Sequence, residues 1–182
     1  SIAEAEQLVK EAFLRNGVTE AVAMSVSTAL VAAEAEGQVG HGFSRVKDYI
    51  AQVKSKKINV DAKVKIEHPK PTSISIDADY GFAYPALDQA ISEGALVAKE
   101  YGSAVVSIFN SHHCGALSIQ VEKIANRGLI GLMMANTPKA IAPWGGKEPF
   151  FGTNPIAFAV PRKEKDPLVI DLSLSKVARG KI

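Results

Sequence analysis

The 182-residue sequence has little cysteine, little excess charge of either sign and no long apolar run. Its single cysteine, Cys114, excludes an internal disulfide and favours a reducing compartment. Lys and Arg total 21 against 19 Asp and Glu, and a net charge of +2 spread along the chain favours no nucleic-acid partner. No apolar run reaches membrane-spanning length, and the first residues form an acidic helix pattern rather than a signal peptide. We therefore expect a cytoplasmic protein with no membrane partner.

The common nucleotide and metal signatures are missing as well. No predicted strand is followed by G-x-G-x-x-G, so the usual dinucleotide-binding fingerprint is absent. Gly146-Lys147 resembles the end of a phosphate-binding loop, but Ile141 and Glu148 occupy positions that need Gly and Ser or Thr. His112, His113 and Cys114 are adjacent, and consecutive side chains do not converge easily on one ion. We predict no metal site.

What is present is an ordinary globular composition, 47% hydrophobic and 22% charged, whose pattern changes near residue 55. Before that point apolar residues recur at helical spacing in three segments. Ser1 and Glu4 fit a capping box for the first helix, and Thr19 can cap the second. We predict a helical part over residues 1–57 and an α/β domain over residues 58–182.

The second part alternates strand and helix patterns, which predicts an α/β fold. Pro85 suits the first turn of a helix that Gly102 ends, and 104–109 is apolar enough for a strand buried on both faces. We predict that His68–Pro71 is a rigid connection between two strands. The other predicted elements are strands 63–67, 73–77, 129–135, 156–160 and 168–172 and a helix over 116–126, which with the strands on either side forms a strand-helix-strand unit.

The strongest candidate for chemistry is His41, which lies between Gly40 and Gly42, with Arg45 four residues later. If a helix begins near Gly42, both side chains can face the same direction. An imidazole that donates a proton near neutral pH, beside a guanidinium that grips a carboxylate, suits an anionic carbonyl substrate. The alternative is a solvated loop histidine and an arginine paired with Asp48 or Glu36.

Three further candidates lie in loops or at a strand end. His112 and His113 follow a predicted strand, where α/β sheets bind ligands; alternatively, one caps the next helix and the other is solvated. Thr153-Asn154 offers a hydroxyl and an amide, although turn chemistry alone explains both residue types. Asp171 at a strand end can position an imidazole, bind a ribose or cap the following segment. From the residues alone we predict a ligand-binding α/β protein and no particular reaction.

Taken together, these segments resemble the malate/L-lactate dehydrogenase family, which is distinct from the Rossmann-type lactate and malate dehydrogenases. Each segment is short, but five occur in the family's order with family-like spacing across essentially the whole chain. The matching segments are Glu36 to Arg45 with its His-Gly-x-x-Arg signature, Asn110 to Gly115, Pro143 to Gly146, Phe151 to Pro155, and Ile170 to Ser175 with Ala178-Arg179-Gly180-Lys181.

The resemblance implies an NAD- or NADP-dependent oxidoreductase that moves a hydride between nicotinamide and a small 2-oxo or 2-hydroxy acid. It implies a mixed or largely antiparallel sheet domain with an atypical, non-Rossmann nicotinamide site, and a homodimer in which residues 1–57 serve substrate binding and dimerisation. Family chains are considerably longer, so we expect the cofactor-binding domain over 58–182 to be incomplete at its C-terminal end.

The resemblance also implies roles for individual residues. His41 is the proton donor, Arg45 holds the substrate carboxylate, and His113 is a second acid/base candidate. Thr153 bonds the substrate, and Asp171 tunes the proton relay. The residues expected to contact the cofactor are Thr137, Ile170, Asp171, Leu172, Ser173, Leu174 and Ser175.

Two alternatives stay open. Gly81 to Leu87 and Ser111-His112-His113 look similar to the Δ1-piperideine-2-carboxylate and Δ1-pyrroline-2-carboxylate reductases, which act on cyclic imines. The other alternative is a catalytically silent small-molecule binding module, or a fragment that retains the fold.

Overall fold

The structure is a computed structural model that describes residues 1–175. Its helices are α1 (Ile2–Leu14), α2 (Glu20–Ala35), α3 (Ser44–Lys54), α4 (Ala83–Tyr101) and α5 (Leu117–Ala125). Its strands are β1 (Lys65–Lys70), β2 (Ser73–Asp77), β3 (Val105–Phe109), β4 (Gly131–Met134), β5 (Ile156–Arg162) and β6 (Lys165–Leu172). This mixture of helices and small sheets confirms the predicted α/β class. The Ala178–Lys181 segment lies outside the described residues.

The chain divides into two compact units, one from Ser1 to Ala116 and one from Leu117 onward. This division does not coincide with the change in composition near residue 55. In the first unit, helices α1 to α4 accompany a three-stranded sheet, and in the second unit α5 accompanies another.

The first helices form as their end signals predict, with one exception. Ser1 and Glu4 make both bonds of a capping box at the start of α1, and α2 packs against it around the fully buried Phe13 and Leu30. Thr19 occupies the N-cap position of α2, but its side chain makes no capping hydrogen bond. Apolar burial therefore holds this helix in place more than its cap does.

The sheet of the first unit is mixed: β1 is antiparallel to β2, and β2 is parallel to β3. Helix α4 connects β2 to β3 and packs on the sheet over a core that includes Ile74, Ile76 and Ala90. Gly102 ends α4 in the left-handed conformation, as predicted.

Two predictions for this sheet were wrong. Pro69 lies inside β1 rather than in a connection, at a register shift between Glu67 and Lys70. Proline has no backbone N–H to donate. It is tolerated there because β1 is an edge strand and no N–H is needed for pairing at the register shift. Strand β3 is not buried on both faces, since Val105 is 69% exposed and Phe109 45% exposed. Only one face of β3 packs against α4 within the described chain.

The second unit is an antiparallel sheet in the order β4-β5-β6. Its small buried residues Ala157 and Ala159 lie on β5, the strand that α5 contacts most, and Ile170 and Leu172 on β6 are exposed. The predicted strand-helix-strand unit around α5 was wrong, because β3 and β4 belong to different sheets. The parallel unit is β2-α4-β3 instead.

Candidate active site

The loop between α2 and α3 carries His41 and is held at both ends by hydrogen bonds. The backbone N–H of His41 donates to the carbonyl of Gln38 at 2.7 Å. The Glu34 carboxylate on α2 accepts the backbone N–H of Phe43 at 2.8 Å. Gly42 lies directly against Glu34: a Cβ there would be 2.9 Å from the Glu34 Cβ and 3.0 Å from its Cα. The absence of a side chain at Gly42 therefore lets the loop approach α2.

The structure brings His41 and His113 together across 72 positions of sequence. Their rings stack with centroids 5.3 Å apart and an interplanar angle of 6°. His41 follows α2, and His113 lies between β3 and α5, so the tertiary fold alone creates this pair. Neither residue is simply a solvated loop histidine.

Arg45 lies in the first turn of α3, near this pair. Its Nε donates to the Gly40 carbonyl at 2.6 Å, and its Nη1 is 3.5 Å from the Asp48 carboxylate. The ion pair with Asp48 is the alternative that the sequence left open. It does not use the whole guanidinium, because within the described residues these two bonds involve Nε and Nη1 only.

His113 also ends a hydrogen-bonded chain that begins in the core. Its Nδ1 is 2.7 Å from the hydroxyl of Tyr49, which is 3.0 Å from the hydroxyl of Tyr84. Both tyrosines are 2% exposed, whereas His113 keeps some accessible surface although its ring packs on that of His41. An accessible imidazole is thus tied to two buried phenols.

The environment changes the proton affinity of all three groups. Burial, followed by the charges of His41 and Arg45, lowers the pKa of His113 to about 4. Burial raises the pKa of Tyr49 to about 12 and raises that of Tyr84 well above its usual value. Near neutral pH the imidazole of His113 is therefore uncharged and both phenols keep their protons. Burial also lowers the pKa of the neighbouring His112.

The lowered pKa of His113 predicts a loss of stability in acid. Because the unfolded histidine takes up its proton near pH 6.5 and the folded one near pH 4, stability falls as pH drops through this window. Solvent screens the partly accessible ring, so we expect a loss of about 1 kcal/mol rather than the full value of the shift. Urea unfolding of wild type and His113→Asn at pH 7 and pH 4.5 measures it. Equal losses in the two proteins would contradict the assignment.

In the second unit, Thr137, Thr153 and Asn154 form one hydrogen-bonded group. The Thr137 hydroxyl oxygen accepts the backbone N–H of Thr153 at 2.8 Å, and the two hydroxyls are 3.2 Å apart. The Thr137 N–H donates to the Asn154 side chain at 3.0 Å. Thr153 is 6% exposed, and a Cβ on the intervening Gly152 would collide with Thr137. The predicted substrate residue and one predicted cofactor residue thus share a single loop cluster.

Asp171 caps a helix in this structure. Its carboxylate on β6 accepts the backbone N–H of Ser118 at 2.8 Å, in the first turn of α5. Beyond it, Ser173 bonds Ser175 through both hydroxyls at 2.7 Å, and the Leu174 N–H donates to the Thr153 carbonyl. Ile170, Leu172 and Leu174 are 45%, 48% and 64% exposed. The predicted cofactor segment therefore presents an accessible apolar and hydroxylated surface.

Three residues of this arrangement escaped the sequence reasoning: Glu34, Tyr49 and Tyr84. Tyr49 is four residues after Arg45, on the same side of α3, but its helical spacing marked it only as a core residue. A buried phenol needs a hydrogen-bond partner, and that requirement is a usable signal. Glu34 carried no motif at all.

Within residues 1–175, His, Cys, Asp and Glu form no group of three that could hold a metal ion. No helix in that range has the length and apolarity needed to cross a bilayer.

The fold and these clusters define an α/β protein that places two histidines beside an arginine. Its sequence identifies the group more narrowly: the chain belongs to the malate/L-lactate dehydrogenase family, whose profile matches residues 1–182.

The relatives of the chain include dehydrogenases and reductases. The (2R)-3-sulfolactate dehydrogenase (NADP(+)) of Chromohalobacter salexigens is 46% identical over 182 residues, which cover 100% of this chain and 54% of that protein. The structure of Δ1-piperideine-2-carboxylate reductase from Pseudomonas syringae matches with a TM-score of 0.95 and 34% identity, covering 100% of this chain and 55% of the other. Malate dehydrogenase from Pyrococcus horikoshii OT3 matches with a TM-score of 0.93 and 32% identity over 99% and 51% of the two chains. The chain spans about half the length of these relatives.

Proposed function

We propose that the protein is an NAD- or NADP-dependent oxidoreductase that transfers a hydride between nicotinamide and a small 2-oxo or 2-hydroxy acid. The observation that carries this proposal is the stacked His41–His113 pair beside Arg45. Reduction of such a substrate requires a group that transfers a proton and a group that binds the carboxylate. The sulfolactate dehydrogenase among the relatives acts on a substrate of this kind.

In this proposal the carbonyl or imine carbon receives the hydride, and His41 donates a proton to the oxygen or nitrogen bonded to that carbon. Arg45 holds the substrate carboxylate through the guanidinium atoms that its bonds to Gly40 and Asp48 leave available. Thr153 adds a hydrogen bond to the substrate, and Asp171 tunes the proton relay. His113 supplies the second imidazole of the pair.

The described residues fit a nicotinamide cofactor. The exposed Ile170, Leu172 and Leu174 offer an apolar surface for an aromatic ring, and Thr137, Ser173 and Ser175 offer hydroxyls for a ribose or an amide. The bound nicotinamide would supply or accept the hydride. Asp171 completes the set of residues proposed to hold it.

A second candidate is the reduction of cyclic imino acids. It is supported by the TM-score of 0.95 with a Δ1-piperideine-2-carboxylate reductase and by relatives such as the Pseudomonas putida Δ1-pyrroline-2-carboxylate/Δ1-piperideine-2-carboxylate reductase, 36% identical over 179 residues. The same residues serve both reactions, because each substrate carries a carboxylate beside the reducible carbon.

Absorbance of the reduced cofactor tests both candidates. The protein is mixed with NADH or NADPH and with pyruvate, oxaloacetate or Δ1-piperideine-2-carboxylate, and with NADP+ and 3-sulfolactate in the reverse direction. We expect turnover of at least one of these substrates, and the preferred one selects between the candidates. Cofactor binding by calorimetry without any turnover would support a silent binding module instead.

The family resemblance supports three further proposals. We propose a homodimer, a cytoplasmic location, and a role of residues 1–57 in substrate binding and dimerisation. The loop that holds His41 belongs to this helical part, which supports its role at the substrate.

A further inference from the structure

The hydrogen-bonded chain from Tyr84 through Tyr49 to His113 has no task in the proposed function. Tyr49 comes from α3 and Tyr84 from the first turn of α4, so two separate helices contribute to it. Tyr84 also lies in the Gly81–Leu87 segment, which the family resemblance singled out and the proposed chemistry leaves unused. Tyr84 packs closely against Gly115, since a Cβ on Gly115, where φ is +69°, would be 2.6 Å from the Tyr84 hydroxyl.

The direction of each hydrogen bond from Tyr84 through Tyr49 to His113 follows from the hydrogens that these groups carry. Among residues 1–175, the hydrogen-bond partner of the buried Tyr84 hydroxyl is the hydroxyl of Tyr49. A buried O–H group needs an acceptor, so Tyr84 donates to Tyr49. Tyr49 then has its own hydrogen left, and it donates to Nδ1 of His113. In the reverse direction the hydrogen of Tyr84 would have no acceptor among these residues.

A second donor points at the same nitrogen. The backbone N–H of Gly115 is directed at Nδ1 of His113 with a separation of 3.4 Å. A backbone N–H can only donate, so Nδ1 must carry its lone pair. Two independent groups therefore require Nδ1 to be the acceptor, and an uncharged imidazole then keeps its proton on Nε2.

We propose that Tyr84 and Tyr49 are positioning residues that hold His113 in the Nε2–H tautomer, so that its accessible edge presents a hydrogen-bond donor to the substrate. The substrate part of this inference rests on the proposed function; the tautomer part does not. His113 then polarises the carbonyl oxygen or imine nitrogen without giving up its proton. The proton that completes the reduction comes from His41.

The charges around His113 agree with this assignment. His41 and Arg45 both disfavour a positive charge on His113, and burial acts in the same direction. Burial has the largest effect on Tyr49 and raises its pKa; Cys114 and Asp48 act in the same direction, and burial outweighs the opposing effects of the Tyr84 hydrogen bond and the Arg45 charge. An uncharged imidazole therefore meets a phenol that stays protonated, which favours donation from oxygen to nitrogen.

Nitrogen NMR of the protein labelled with 15N-histidine tests the tautomer directly. The ring signals of His113 are assigned by their loss in His113→Asn. At pH 7 we expect one unprotonated nitrogen, Nδ1, and one protonated nitrogen, Nε2. In Tyr49→Phe the main donor is gone, so we expect the two tautomers to mix. In Tyr84→Phe the Tyr49 hydroxyl loses its orientation, so we expect a smaller shift in the same direction.

Tyr101→Phe is the matched control, because Tyr101 lies on the same helix as Tyr84 and is 52% exposed. It should leave the His113 signals unchanged. A wild-type protein with its proton on Nδ1 would overturn the proposal, and this result does not depend on the folding of either tyrosine variant. So would correctly folded Tyr49→Phe and Tyr84→Phe proteins that both keep the wild-type signals.

Kinetics separates this inference from the proposed function. With a turned-over substrate, we expect Tyr84→Phe to lower kcat about tenfold, with KM changed less than kcat, because the lost orientation matters most in the transition state. Turnover together with a His113 proton on Nδ1 refutes the tautomer and leaves the function standing. The expected tautomer in a protein that turns over no substrate refutes the function and leaves the positioning role standing.

Discussion

We expect the replacement of His41 with alanine to lower kcat by about 10²–10⁴-fold while KM changes little, which is the range for removal of a general acid. In the proposed function His41 donates its proton in the transition state, so its removal affects the rate of the reaction and not substrate binding. The backbone bond from His41 to Gln38 survives the substitution, which keeps the loop in place. Steady-state rates over a range of substrate concentrations give both constants.

Arg45→Ala is the contrast, because it removes the group proposed to bind the substrate carboxylate and leaves the proposed acid in place. A hydrogen bond between charged groups contributes about 1.5–3 kcal/mol, so we expect the loss of the bond to the substrate carboxylate to raise KM by about one to two powers of ten. Asp48→Asn is the control, because it breaks the ion pair with Arg45. The Asp48 side chain is 58% exposed, so we expect this substitution to change kcat and KM less than twofold. Wild-type kcat in His41→Ala, or wild-type KM in Arg45→Ala, refutes the role of that residue.

Gly42→Ala is expected to damage both stability and activity, although it adds a single methyl group. That methyl would meet the Glu34 carboxylate and lie 3.0 Å from the Cα of Glu34, which belongs to a helix and cannot yield freely. The loop must therefore move away from α2 and weaken the bond from Phe43 to Glu34. We expect about 1–3 kcal/mol of lost stability and up to about 10²-fold lower activity, because His41 is displaced.

Gly40→Ala supplies the matched control on the other side of His41. A Cβ at Gly40 would have nothing within 4 Å, and the residue has no positive φ. Its carbonyl, which accepts the Arg45 Nε, is unaffected by a side chain. Urea unfolding and steady-state kinetics of both variants measure the difference. Equal behaviour of the two variants would mean that close packing at Gly42 has no role.

Local signals predicted most of the helices and several strands. Three of these signals are the capping box at Ser1, Pro85 in the first turn of α4 and Gly102 at its end. Each acts on residues a few positions away, so the local sequence is enough to predict its effect. Errors arose where a neighbour in space decides. An apolar run such as Val105–Phe109 reads as buried, but exposure depends on which elements cover it.

The candidate site likewise has features that the sequence predicts and features that depend on contacts in space. The His41–Arg45 spacing and the Thr153 and Asp171 turns were visible as motifs, and their catalytic roles stay predictions. Asp171 shows the limit of such reasoning: its sequence allowed a ribose ligand, an imidazole partner or a cap, and the structure places it on the N–H of Ser118, 53 positions away.

The sequence by itself determined the family, the α/β class and the list of chemically capable residues, because each depends on residue types and on spacing along the chain. Only the tertiary structure decided which of these residues meet. It stacked His41 on His113, tied His113 to Tyr49 and Tyr84, and set the lowered pKa of the imidazole. The physical reason is that hydrogen bonds and desolvation act over a few ångströms of space, whatever the distance along the chain.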